Sequence, residues 1–82
     1  MNKMTKIYEK LAHYIFENGN FPKLKGDAKA IKVIRETADA AKAFALELQK
    51  ENVSDTQVKK ALENKKKMSK IFESVIGEKW IF

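Results

Sequence analysis

Residues 27–52, DAKAIKVIRETADAAKAFALELQKEN, decide the fold. Within them Ile31, Ile34, Ala38, Ala41, Ala45 and Leu48 recur at alternating steps of three and four, which sets one narrow apolar seam along a helix. Half of the seam is alanine, the strongest intrinsic helix former, and its small side chain lets a neighbouring helix come close. Val33, Ala40 and Phe44 form a second stripe beside the seam, so the apolar surface is wide enough to touch two neighbours. The stretch predicts a long central alanine-rich helix of about seven turns, flanked by two others. Lys29, Lys32, Arg35, Glu36, Asp39, Lys42 and Gln49 make its wet face. A seam of this type also suits two zipped copies, so the pattern leaves a monomer and a weak homodimer both open.

The flanking segments supply the other helices. From Thr5 to Asn18, Ile7, Tyr8, Leu11, Ala12, Tyr14 and Ile15, together with Met4 before them, follow helical spacing, while Lys6, Glu9, Lys10, His13 and Glu17 hold the other side. Gly19 is expected to supply the left-handed residue that ends this helix, and Pro22 prevents its resumption. In the loop 20–26, Phe21 and Leu24 are expected to plug the end of the helical layer; Phe21-Pro22-Lys23-Leu24-Lys25 is also the one loop with the means to read a partner. Asp27, after Gly26, is an N-cap for the central helix. Further on, Ser54 and Gln57 have capping-box spacing, with Val53 and Val58 placed as a hydrophobic staple, so a third helix begins at Asp55 after the short connection 52–54. Val58, Ala61, Leu62, Met68, Ile71, Phe72, Val75 and Ile76 give it a buried side, with Lys65 laying its stem on that surface. Gly77 ends it, leaving the aromatic C-terminal tail Glu78-Lys79-Trp80-Ile81-Phe82. The expected fold is all-α, a small three-helix bundle forming a single domain over 1–82.

Composition narrows the chemistry. There is no cysteine and one histidine among the 82 residues, which rules out disulfides, thiolate metal sites and a cysteine nucleophile, and no metal or cofactor is expected. Lys3, Lys6 and Lys10 interrupt any signal-peptide run and no stretch of about 20 apolar residues exists, so the expectation is a soluble cytoplasmic protein without a membrane span. The net charge of +6 invites a polyanionic partner, yet acids are interleaved throughout; the excess is only mildly concentrated in 54–82, with seven basic against four acidic residues.

Three groups of residues are candidates for function. His13 is the one side chain with an ordinary pKa near neutrality, but it falls on the solvent face of the first helix with no serine or cysteine in phase, so no enzyme and no catalytic residue are predicted. Lys59, Lys60, Lys66, Lys67 and Lys70 follow a short turn, as in a helix-turn-helix unit, which makes a DNA- or RNA-binding module the alternative reading. Its turn lacks glycine, the helix lacks arginine and Glu63 sits among the lysines, leaving Gln57 and Asn64 for base readout. The bland account is a solvated lysine surface, with these five spread over the outward faces of the helix. Trp80, Ile81 and Phe82 either fold back to close the core or anchor a partner, as exposed aromatics at interfaces do. The leading expectation is a regulatory protein acting by protein–protein contact through Trp80, Ile81, Phe82, Lys66, Lys67 and Lys70.

The opening Met1-Asn2-Lys3-Met4-Thr5-Lys6, the lysine-rich 59–70, the ending Gly77-Glu78-Lys79-Trp80-Ile81-Phe82 and the length together resemble the rIII family of lysis-inhibition accessory proteins of T-even bacteriophages. That resemblance implies a non-enzymatic protein of the bacterial host cytoplasm. Its implied role is to delay lysis by contacting the soluble cytosolic segment of the phage holin.

Overall fold

In the computed structural model, which describes residues 3–82, the helices are α1 (Lys3–Phe16), α2 (Ala28–Leu48) and α3 (Asp55–Ile76). The opening Met1-Asn2, part of the resemblance above, lies outside the described residues. No strand occurs among them, and the architecture is a small all-α bundle of three helices. Its longest dimension is 39 Å, set by α3, whose 22 residues rise about 33 Å.

The caps explain where two of the helices start. Asp27 is extended (φ −63°, ψ 133°) and its carboxylate accepts from the Lys29 amide, while the Ser54 hydroxyl accepts from the Gln57 amide at 3.4 Å. Gly77 closes α3 in the left-handed conformation (φ 79°), and its N–H donates to the Glu73 carbonyl.

Two helix ends differ from expectation. α1 stops at Phe16, and the left-handed residue is Asn18 (φ 55°), a residue type that tolerates that region. Gly19 serves another purpose: its N–H donates to the His13 carbonyl, and an added Cβ would stand 3.2 Å from that oxygen. α2 is about six turns long and ends at Leu48. There Leu46 and Leu48 are exposed, with no neighbour to bury them, and the Gln49 and Lys50 amides bond back three residues in a tightened last turn. The connection to α3 is accordingly the longer 49–54, and Val53 is exposed rather than stapled.

The core sits on α2. Val33, Ile34, Ala38 and Ala41 are buried there against Met4, Leu11 and Ile15 of α1 and Phe72 of α3. Ile34, Ala38 and Ala41 of the alanine seam are therefore covered within one chain, as the monomeric reading expects, while Leu48 at the end of the seam is exposed. Thr37, three residues after Ile34 and four before Ala41, is fully buried on the same stripe; its hydroxyl bonds the Val33 carbonyl at 2.7 Å and lies 3.3 Å from the Met68 carbonyl of α3. Small side chains let α3 approach this closely. Phe21 and Leu24 pack against the core, as expected of the loop plug, and the Lys65 ammonium lies 5.9 Å from the Phe44 ring centre. Ile71 and Val75, expected inside, are 37% and 40% exposed because they stand on the flank of α3 that neither other helix covers.

Among the described residues no Cα of α1 comes within 8 Å of a Cα of α3. The tail after Gly77 fills the space between them.

Candidate interaction surface

Side chains of the tail alternate, as successive residues of a non-helical segment do: Trp80 inward, Ile81 outward, Phe82 half inward. The Trp80 ring meets Phe72 of α3 at 4.8 Å, Tyr8 of α1 at 6.0 Å and Phe82 at 5.4 Å, all edge-on. Phe82 in turn meets Tyr8 at 5.8 Å and Phe16 at 5.6 Å. Two polar bonds fix this strap: the Tyr8 hydroxyl donates to the Lys79 carbonyl, and the Trp80 amide donates to Glu73 Oε2 at 3.2 Å. Burial, then the nearby Glu78 and Glu73 carboxylates, raise the Tyr8 phenol above its ordinary value. The Trp80 indole N–H is buried with no acceptor among the described residues.

Of the two readings of the tail, this geometry takes the folded-back one for Trp80 and removes it from the partner anchors. With 6% of its surface accessible it is core, and Phe82 is committed to the same aromatic cluster. Only Ile81, 60% exposed, remains outward, beside an open groove shared with Thr5, Glu9 and Ala12.

The lysines of α3 are arranged differently. At 100° per residue Lys59, Lys60, Lys66, Lys67 and Lys70 fall within an arc of about 120° opposite the buried side. All five are exposed, and among the described residues none has a carboxylate within 4.0 Å; the ion pairs present join His13 to Glu17, Lys32 to Glu36 and Lys50 to Glu47. Glu63 stands inside the arc, and Ile71 and Val75 border it. Sequence inspection had these lysines spread over several faces; the register puts them on one. The helix-turn-helix likeness is weakened, since six residues, 49–54, connect α2 to α3 where that motif uses a turn of about three or four.

His13 is exposed, and its Nδ1 pairs with Glu17 one turn on, a surface arrangement that offers no nucleophile. One residue on, the Tyr14 hydroxyl donates to Asp39 of α2, which raises the Tyr14 pKa, with burial adding to it. Among the described residues no group of three histidine, aspartate or glutamate side chains gathers, and no helix is long and apolar enough to cross a membrane. The contacts that sequence reading missed are Thr37 and the joining of Tyr8 to the tail. Thr37 had a signal in its phase with Ile34 and Ala41, whereas the Tyr8 contact spans 71 positions and had none.

Compared with protein-family models, curated proteins and solved structures, the chain matches none of them.

Proposed function

We propose that this chain is a non-enzymatic regulatory protein of the cytoplasm that acts by contact with another protein, through the outward face of α3. One observation carries the reading: Lys59, Lys60, Lys66, Lys67 and Lys70 share a single arc, unpaired among the described residues, with exposed Ile71 and Val75 beside them. Unpaired charge of one sign steers an oppositely charged partner, and the apolar surface beside it gives that partner area to bury. In the form that the phage resemblance implies, the partner is the soluble segment of a holin and the consequence is delayed lysis. The tagged protein, passed over host lysate treated with nuclease, is expected to retain one partner protein. Lys66→Glu/Lys67→Glu/Lys70→Glu is expected to lose it, and equal capture by that variant rejects the α3 face.

Nucleic-acid binding is the second reading, favoured by the same unpaired lysines. Its mark is a steep fall of affinity with added salt. Absence of any complex with duplex or single-stranded nucleic acid at low salt removes it.

A further inference from the structure

We infer, resting on the reading of α3 as a contact face, that its occupant is an acidic helical segment of another protein that places one basic side chain opposite Glu63. From Lys59 to Lys70 the charges extend about 16 Å along the helix, or three turns, which a partner helix can follow. Glu63 lies three or four residues from each of Lys59, Lys60, Lys66 and Lys67, the spacing at which helical ion pairs close. None of them closes within 4.0 Å among the described residues, so both signs of charge face outward. Glu63 is also the saddle between two open depressions, one at the start of α3 with Lys59 and Lys60, the other lined by Lys66, Lys67, Lys70 and Ile71.

The saddle discriminates between polyanions. A phosphate backbone or an anionic bilayer presents one sign at every position and is repelled by Glu63, whereas a protein helix can alternate signs at this spacing. Ile71 and Val75 speak against a phosphate backbone, which offers nothing apolar to cover them; a bilayer does, and it is Glu63 that speaks against that.

The test uses the full chain, immobilised and presented with a displayed library of random helical peptides. Selected peptides are expected to carry Asp or Glu at three- and four-residue spacing around one Lys or Arg, and to shift amide resonances of residues 59–75. Glu63→Lys should weaken them about fivefold and Lys66→Glu/Lys67→Glu/Lys70→Glu more than about tenfold. Glu63→Gln should fall between wild type and Glu63→Lys, and circular dichroism confirms that each variant is folded. Purely acidic peptides that bind Glu63→Lys more tightly overturn the inference while leaving α3 as the contact face. Shifts confined to another surface overturn the contact face itself. A 20-base-pair duplex or phosphatidylglycerol vesicles bound more tightly than any peptide, and tighter still by Glu63→Lys, overturn it in favour of a uniform polyanion.

Discussion

The aromatic tail and the lysine face of α3 lie in the last third of the chain, and both look like partner-binding material in the bare sequence. Trp80 is buried between α1 and α3, while every lysine of the arc stays in water. What separates them is the gap that α1 and α3 leave on either side of α2. That gap needs large apolar rings, and the tail alone has a backbone free to deliver them once Gly77 has stopped the helix. Aromatic residues on a short segment after a helix are thus ambiguous until the room between the helices is known; lysines on the far side of a packed helix are not.

The sharpest way to break this contrast is to alter each region in turn, one residue in the tail and three on α3. Trp80→Ala is expected to cost about 3–5 kcal/mol, a large share of the stability of so small a domain, read as a lowered denaturant midpoint by circular dichroism. Lys66→Glu/Lys67→Glu/Lys70→Glu should stay within about 0.5 kcal/mol of wild type. Equal losses would mean that the lysine face is structural after all.

Smaller changes sharpen the comparison within the tail. Tyr8→Phe removes the hydroxyl that holds the Lys79 carbonyl and should cost about 1 kcal/mol at neutral pH. It should also flatten the alkaline limb. Burial, with Glu78 and Glu73, raises the Tyr8 phenol above 10.0, so the folded state keeps its proton longer than the unfolded chain. That contribution is complete below pH 10.0 and disappears as pH rises through the raised value. Stability measured from pH 8 to 11 should therefore fall less steeply in Tyr8→Phe, and Tyr14, raised by its bond to Asp39, contributes to the slope that remains. Ile81→Ser, at an outward position of the same segment, should change stability by less than about 0.5 kcal/mol.

How far the sequence was legible follows from the range of each signal. Asp27, Ser54 and Gly77 act over one turn, and their caps stand where the residues indicated. The seam was legible because Ile34, Ala38 and Ala41 repeat within one helix. Leu48, Ile71 and Val75 have the right spacing and yet face solvent, since periodicity states which residues share a side and not how far a neighbour reaches along it. The end of α1 was misread because asparagine, as well as glycine, accepts a positive φ. Of the candidate surface, the five lysines were visible in the sequence, but their sharing of one arc follows only from the register of α3. Trp80 was not, because its seat is built by Tyr8 and Phe72 from two other elements.

The bond from Tyr8 to Lys79 joins positions 71 residues apart. During synthesis α2 and α3 can pair as soon as both have left the ribosome, but α1 waits for residue 79 before its outer side is sealed. At about 5–20 residues per second the nascent chain carries the Tyr8 side of α1 without its tail for several seconds. Closing so long a loop comes late in folding, so the outer side of the first helix made is sealed by the last residues of the fold.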